Sequence, residues 1–198
     1  MARADGQDAY LQSDEELRAG TVGPLVPHNA PITLSEYDPA WPAMFSREAG
    51  RIRRLLGMRA ISIQHVGSTS VPGLAAKPII DIVLAVPDSA DEEAYVPALE
   101  AAGYVLTGRA PDWFEHRLLK GPDIDINLHV FTAGASEIDR MLLFRDWLRE
   151  NAADRDAYLQ VKRDLARRTW RHVQHYADSK SAIVAEIVAR AAEATRPS

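Results

Sequence analysis

Cysteine is absent from this chain of 198 residues, which excludes disulfide bonds and thiolate metal sites. Any bound metal must therefore be held by carboxylate, imidazole, amide or water ligands, which favours a hard cation. Long apolar runs are absent too, because no uninterrupted stretch approaches the length that spans a bilayer. The amino terminus also lacks the apolar core of a signal peptide. The sequence therefore predicts a soluble, cytoplasmic protein with no membrane partner.

An excess of positive charge is the third feature that is missing. The chain has 23 Lys and Arg residues against 28 Asp and Glu residues, a net charge of -5. This balance disfavours unspecific attraction to a polyanion, so nucleic acid is not expected as the main partner, although a locally basic pocket stays open. The hydrophobic share of 46% and the charged share of 26% are ordinary for one globular domain of this length.

Residues 1–34 differ in character from the rest of the chain. They are polar, rich in Gly and Pro and weakly periodic, which predicts a flexible leader with a short helix near Ser13. Residues 35–198 are expected to form a single domain. Its first helix is predicted within residues 39–57, where apolar side chains recur at helical intervals and Gly57 provides a stop.

The middle of the chain is rich in β-branched and apolar segments bounded by turn residues, and the last third has a helical pattern. Strands are predicted at residues 60–66, 79–86, 104–106, 114–119 and 124–131, with one helix at 92–102. Residues 136–194 predict three consecutive helices, with breaks at 151–154 and 172–177. We therefore expect an α+β fold, with a mixed β-sheet flanked by helices and a C-terminal helical segment.

One carboxylate, that of Asp81, lies among isoleucines and valines in the second predicted strand. A buried carboxylate costs several kcal/mol unless it is paired, hydrogen-bonded or bound to a cation. The alternation of Asp125, Asn127 and His129 places three polar side chains on one face of the last predicted strand. If that strand lies next to the one that carries Asp81, the four side chains form a site.

A Gly-Ser-Thr-Ser turn precedes the strand that carries Asp81. Gly67 allows backbone to approach a ligand closely, and successive amides with the hydroxyls of Ser68, Thr69 and Ser70 can hold phosphate oxygens. The same hydroxyls could instead hold the turn through bonds to backbone. Phosphate beside a carboxylate requires a bridging cation, commonly Mg²⁺. The pattern favours phosphoryl or nucleotidyl transfer.

Longer motifs in the chain are similar to those of a known family. HVGSTSVPGLAAKPIIDI starts at His65, GY at Gly103, NLHV at Asn127 and FRDWLR at Phe144. Together they resemble the GrpB family over about residues 32–191, and the Gly67 turn followed by Asp81 resembles the signature of the nucleotidyltransferase superfamily. The resemblance implies a minimal nucleotidyltransferase fold, in which the turn binds nucleotide phosphates and Asp81 is a metal ligand.

Two departures limit what the resemblance implies. The superfamily usually has a second acid two positions after the first, where this chain has Val83. Asp125 is then the candidate that would hold one Mg²⁺ or Mn²⁺ together with Asp81, and His129 is either a further metal ligand or a general base. Some family members are fused to dephospho-coenzyme A kinase domains, but this chain lacks a Gly-x-x-x-x-Gly-Lys-Ser/Thr loop, so kinase activity is not implied.

Four basic side chains are candidates for binding phosphate: Lys77, Arg117, Lys162 and Lys180. Lys77 precedes a proline and lies in extended chain beside the turn, where it reaches a phosphate or only solvates the loop. Arg117 binds a phosphate or pairs with an acid of the sheet. The last two each follow a tyrosine by four residues, a spacing that either closes a helix over a nucleotide or packs helices together.

These residues predict a metal-dependent nucleotidyltransferase-like enzyme that uses a nucleoside triphosphate, expected to be ATP. It would transfer a nucleotidyl group to a small-molecule acceptor, or activate and ligate that acceptor, with Asp81, Asp125 and His129 as catalytic residues. A nucleotide- or metabolite-binding module without turnover is the second hypothesis, favoured by Val83. The third is an interaction protein that uses a basic helix around Arg167. A homodimer is the assembly left open.

Overall fold

The computed structural model describes residues 11–196, so the first ten residues of the predicted leader lie outside the described part. The helices are α1 (Asp14–Gly20), α2 (Trp41–Leu56), α3 (Val96–Glu100), α4 (Ser136–Glu150), α5 (Ala152–Ala166), α6 (Val173–Asp178) and α7 (Ser181–Ala194). The strands are β1 (Ser62–Val66), β2 (Ile80–Val86), β3 (Val105–Ala110), β4 (His116–Lys120) and β5 (Ile126–Thr132). Helices and strands follow one another as an α+β fold, which confirms the predicted class.

The strands form one mixed five-stranded sheet in the order β1-β2-β5-β4-β3. Strands β2 and β5 pair in parallel, and the other neighbours are antiparallel. In the parallel pair Asp81 lies opposite Asn127, and Val83 lies opposite His129. The adjacency on which the predicted site depends is therefore present.

The two faces of the sheet carry different side chains, because residues alternate along each strand. Ile82 and Leu128 point toward α2 and α3 and belong to the main hydrophobic core. Val83 and Phe131 point to the other face and pack near the start of α4. Asp81 and His129 share this second face by the same alternation. The C-terminal helices therefore cover the face that carries the polar residues.

Four predicted elements differ from those observed, and the first is β3, which extends to Ala110 rather than ending at residue 106. The helix predicted at 92–102 divides into a 3₁₀ turn (Glu92–Ala94) and α3. Strand β4 starts at His116 rather than at residue 114, because Phe114 and Glu115 have positive φ angles that a strand does not accept. The predicted break at 172–177 contains the short helix α6, so the C-terminal part has four helices rather than three. Within residues 11–196, no helix combines the length and apolar character needed to cross a bilayer.

Residues 11–34 pack against the domain. A capping box between Ser13 and Glu16 starts α1 close to the predicted position, and Leu17 is buried. Beyond α1, Thr21 forms a bridge with a residue of β3, and Ile32 joins a cluster with residues of α5 and α6. The predicted flexible leader does not include these contacts, because the few apolar residues in this segment give little sign of packing.

Candidate functional site

A cavity of about 450 Å³ lies over the polar face of the sheet, and we call it the lysine cavity. Strands β2, β4 and β5, the turn before β2 and the C-terminal helices form its walls. Most of the side chains predicted for the site line it: Gly67, Ser68, Thr69, Lys77, Asp81, Asn127, His129, Lys162 and Lys180. Ser70, Arg117 and Asp125 are not among the lining residues.

Asp81 is the only acid among the described residues that line the lysine cavity. Its Oδ1 accepts a hydrogen bond from Asn127 Nδ2 at 2.7 Å and lies 3.8 Å from His129 Nε2. Burial alone would raise the pKa of Asp81, but the bonds from His129 and Asn127 and the charge of Lys77 lower it below its usual value. Asp81 is therefore a carboxylate whose negative charge is held by surrounding donors.

Gly67 brings the turn into direct contact with that carboxylate. Its φ of 68° and ψ of -174° lie in a region that is nearly exclusive to glycine. A Cβ at this position would overlap Asp81 Oδ2. The glycine is therefore required both for the turn and for the close approach of backbone to Asp81.

The hydroxyls of the turn have mostly structural partners. Thr69 Oγ1 donates to the carbonyl of Ile79 at 3.0 Å and lies 3.1 Å from His65 Nε2. Ser70 Oγ donates to the carbonyl of Gly67 at 2.6 Å, away from the cavity. The phosphate-binding role predicted for Ser70 is therefore corrected to a structural one, since its hydroxyl closes the turn. Backbone and Ser68 remain as the turn's groups for a ligand.

Three lysines from separate parts of the chain lie around Asp81: Lys162 is buried, and Lys77 and Lys180 are partly buried. The Nζ atoms of Lys77 and Lys180 lie 5.7 and 4.4 Å from the ring centroid of Tyr176. Lys162 Nζ lies 5.4 Å from the Tyr158 ring centroid and donates to the carbonyl of Ala75 at 2.6 Å. A fourth lysine, Lys120 of β4, also lines the cavity, and the sequence does not point to it.

The pKa values of these three lysines are all lowered, mainly because the side chains are removed from solvent. Burial lowers the pKa of Lys77 to about 8, with a further contribution from the charge of Lys180. Burial also lowers the pKa of Lys180 to about 8, although Asp81 opposes the shift. Burial lowers the pKa of Lys162 well below its usual value. Several cations facing one carboxylate favour an anionic ligand, which would remove this electrostatic cost.

Strand β4 contributes two residues that the sequence analysis missed. Lys120 Nζ donates to Asn127 Oδ1 at 2.6 Å, and His116 Nε2 lies 3.0 Å from His129 Nδ1. Burial, followed by the charges of His129 and Arg117, lowers the pKa of His116 to about 3, so its imidazole is neutral. A line of contacts thus runs from Asp81 through His129 to His116.

Arg117 lies on the opposite face of β4, which corrects its predicted role in phosphate binding. Its Nε donates to Glu92 Oε1 at 2.6 Å, and its side chain is only 8% exposed. Alternation along the strand directs Arg117 and Leu119 to one side and His116 and Lys120 to the other. The predicted alternative, an ion pair with an acid, is the arrangement observed.

Asp125 lies at the outer edge of the site, and this corrects its predicted role as a metal ligand beside Asp81. Its side chain is 56% exposed and pairs with Lys120 at 3.5 Å. Because Lys120 also bonds Asn127, which bonds Asp81, an ammonium and an amide link the two acids. Within the described residues no three His, Asp or Glu side chains form a metal-binding group. The donor set therefore does not fit a two-acid Mg²⁺ or Mn²⁺ site.

Comparisons with known proteins agree with the observed fold. A family model described as GrpB protein matches residues 31–190. A UPF0157 protein of Halalkalibacterium halodurans is 66% identical over 187 residues, which cover 94% of this chain and 96% of that protein. A dephospho-CoA kinase of Mycolicibacterium paratuberculosis is 33% identical over 165 residues, which cover 70% of this chain but 40% of that enzyme.

A solved structure shows the same similarity in three dimensions. The crystal structure of the conserved protein GrpB from Enterococcus faecalis matches with a TM-score of 0.71 and 31% sequence identity. The match covers 82% of this chain and 98% of that one. Together with the match of the family model over most of the chain, it shows that this chain belongs to the GrpB family.

Proposed function

We propose that the lysine cavity binds the phosphates of a nucleoside triphosphate, with ATP as the expected nucleotide, and that the protein transfers a nucleotidyl group to a small acceptor. The observation that carries this proposal is the convergence of Lys77, Lys120, Lys162 and Lys180 on a cavity with Asp81 as its acid. A triphosphate supplies the negative charge that this cavity lacks. The alignment with part of a dephospho-CoA kinase supports a phosphate-bearing ligand.

The transfer step follows from the positions of the lysines and of the Gly67 turn. The acceptor's oxygen or nitrogen attacks the α-phosphorus, a bond forms between them, and the bond from that phosphorus to the pyrophosphate oxygen breaks. Ammonium groups that line the cavity stabilise the charge on the phosphate oxygens. Lys77 and Lys180 carry this role, and Gly67 leaves room for backbone to approach the phosphates.

The proton lost by the acceptor goes to Nε2 of His129, in the tautomer whose Nδ1–H donates to Nε2 of the neutral His116. The imidazolium that forms is stabilised by the carboxylate of Asp81, whose Oδ1 lies 3.8 Å from Nε2. A base held by a carboxylate is the usual arrangement for activating a hydroxyl or an amine. Pyrophosphate leaves with the negative charge, and the lysines neutralise it.

Charge neutralisation is assigned to lysines rather than to a metal, because the donor set does not provide two acids around one cation. The binding test therefore includes conditions with and without Mg²⁺ or Mn²⁺. In calorimetry of ATP with the purified protein, we expect binding in the presence of EDTA. Lys180→Met should weaken that binding at least tenfold, whereas Asp125→Asn should leave it unchanged. Absence of ATP binding in every condition would contradict the proposal.

A binding module without turnover is the second candidate, and the observation that favours it is Val83. This residue is buried and occupies the place of the usual second acid. The two candidates differ in pyrophosphate release. With ATP and a mixture of cellular small molecules, an enzyme releases pyrophosphate and the Asp81→Asn variant does not, whereas a binding module releases none in either case.

A further inference from the structure

The lysine cavity runs along strands β2, β5 and β4, and its two ends differ. At one end Asp81, Asn127 and Lys120 lie side by side across the three strands. Four residues further along β5, Phe131 points to the same face, and its ring centroid lies 4.8 Å from that of His116, which also lines the cavity. The charged end and the His116 end are therefore separated by about 13 Å, since each residue of a strand adds about 3.3 Å.

The His116 end of the lysine cavity is lined by uncharged side chains. Burial lowers the pKa of His116 to about 3, so its imidazole is neutral. Trp113 and Leu118 also line the cavity at this end, because Trp113 packs on His116 and Leu118 lies two residues from it on the same face of β4. A phosphate group gains little from such a wall, whereas a planar apolar ring gains contact area.

Trp113 exposes more of its surface to solvent than the other tryptophans do. The residue is 39% exposed, whereas the other three tryptophans are buried or partly buried. Its ring centroid lies 4.8 Å from that of His116 and 5.5 Å from that of Phe131, with interplanar angles of 67° and 81°. These edge-to-face contacts fix the orientation of the indole. An indole that is fixed at a cavity wall and still partly exposed can stack on the ring of a ligand.

The turn between β3 and β4 holds Trp113 at this position. Phe114 and Glu115 have φ angles of 54° and 50°, in the left-handed region that such side chains rarely adopt. The amide of His116 donates to the carbonyl of Trp113 at 3.1 Å, which closes the turn. Backbone conformations of this kind cost free energy and are concentrated at ligand sites. Here the conformation returns the chain to β4 with the indole against His116.

We propose that Trp113 stacks on a planar heteroaromatic ring of the ligand, and that this ring is the base of the nucleotide whose phosphates lie among the lysines. The ribose then lies over Leu118 and His129, which are paired midway between the two ends of the cavity. His129, the proposed base for the acceptor, is in this arrangement close to the α-phosphate. The assignment of the ring to a nucleotide rests on the proposed function, but the stacking of an adenine ring on Trp113 does not.

Three probes separate the two parts of the ligand: adenosine has the base without phosphate, tripolyphosphate has phosphate without a base, and ATP has both. Adenosine and ATP should quench the tryptophan fluorescence of the full chain, because a stacked base quenches an indole, and tripolyphosphate should not. Trp113→Leu should abolish the quenching and weaken ATP binding about tenfold in calorimetry, which is the loss typical of one stacked base. Tripolyphosphate should bind Trp113→Leu and the unaltered protein equally.

The matched control is Phe114→Leu, because Phe114 is an aromatic residue of the same turn, is 44% exposed and is not among the residues that line the lysine cavity. This variant should bind ATP and show quenching as the unaltered protein does. Trp113→Tyr keeps a ring for stacking and should bind ATP within about threefold of the unaltered protein. If Trp113→Leu fails to fold by circular dichroism, NMR of the unaltered protein replaces it. Adenosine should then shift the indole N–H signal of Trp113, which Trp113→Tyr identifies.

The outcomes for the base and for the phosphates are distinguishable. Quenching by adenosine that disappears in Trp113→Leu, together with no binding of tripolyphosphate, would support the stacking site and contradict the proposed function. The stacking site is wrong if Trp113→Leu binds ATP as tightly as the unaltered protein, or if neither adenosine nor ATP changes the fluorescence or the indole signal of Trp113. Binding of tripolyphosphate in that case would leave the proposed phosphate site standing.

Discussion

The Cα atom of Gly67 lies against the carboxylate of Asp81, so closely that a methyl group on the glycine would overlap Oδ2. The turn and the strand therefore pack directly against each other at Asp81, which lines the lysine cavity. The close fit makes Gly67 a position where the smallest substitution should affect both the fold and the ligand site.

Gly67→Ala should lower the free energy of unfolding and weaken tripolyphosphate binding at least tenfold. The strained backbone conformation costs about 1–3 kcal/mol, and the new methyl group displaces the Asp81 side chain. The control is Gly73→Ala, which also has a positive φ of 78° but has open space at the Cβ position. Urea denaturation should show a loss in both variants, and calorimetry should show lost binding only in Gly67→Ala. Equal binding by both would contradict the proposed role of the turn.

The stability of the unliganded protein should rise between pH 7.5 and pH 9.5. The pKa of Lys180 is about 8 in the folded protein because the side chain is buried, against 10.5 for an ordinary lysine, so the unfolded chain binds more protons in this window. Stability therefore increases as pH rises through the folded pKa. Urea denaturation should show a gain on the order of 1–3 kcal/mol from such a lysine. The gain should be smaller in Lys180→Met, and an identical pH dependence in that variant would disprove the explanation.

Polyphosphate binding near pH 8 should be accompanied by proton uptake. Lys77 and Lys180 have pKa values of about 8, so each is about half protonated in the free protein. A bound anion raises these pKa values, and the two lysines together take up about one proton. Calorimetry with tripolyphosphate in two buffers of different ionisation enthalpy measures this number directly. Heat that is independent of the buffer would show that the lysines do not contact the ligand.

Arg117→Met should destabilise the protein without affecting tripolyphosphate binding. The nearly buried guanidinium bonds Glu92 on the face opposite to the cavity, and a hydrogen bond to a charged group is worth about 1.5–3 kcal/mol. Arg109→Met removes two bonds to the same Glu92, but the Arg109 side chain is more exposed, so the change should cost about 1 kcal/mol or less. Weakened binding in Arg117→Met, measured by calorimetry, would restore the phosphate role expected from the sequence.

The parts of the site that could be predicted are those encoded by alternation within one strand. Asn127 and His129 share a face because they are two residues apart, and the polar character of that face is visible in the sequence. Asp81 attracts attention because an acid in an apolar strand needs partners. Val83 stands where the resemblance to the nucleotidyltransferase superfamily implies a second acid, and this departure needs no knowledge of the structure.

Strand β4 shows why the same reasoning fails elsewhere. Its sequence HRLLK has polar residues at both odd and even positions, so both faces of the strand carry a polar side chain. Alternation therefore does not tell whether Arg117 or the pair His116 and Lys120 faces the cavity. Pairing of β4 with β5 decides the matter, since Lys120 lies opposite Asn127. The conflict between the two phases is resolved by tertiary contacts, which the local pattern does not contain.

Local sequence patterns also do not predict that the lysines meet at one cavity. Lys162 and Lys180 were singled out for their spacing from tyrosines, but the same spacing also suits ordinary helix packing. Their proximity to Lys77 depends on how α5 and the residues before α7 dock onto the sheet. Likewise, the pairing of Thr21 and Val22 with strand β3 depends on tertiary contacts that the local pattern after α1 does not contain.

The lysines of the cavity come from four separated segments: the loop before β2, strand β4, helix α5 and the residue before α7. A polyanion bound among them would act as a non-covalent cross-link between the sheet and the carboxy-terminal helices. At a concentration one hundred times its dissociation constant, such a ligand adds about 2.7 kcal/mol to the stability of the folded state. In hydrogen exchange, amides of α5 and α7 that open locally in the free protein should then exchange only when the whole molecule unfolds. Ligand binding would in this way make the sheet and the carboxy-terminal helices unfold as one cooperative unit.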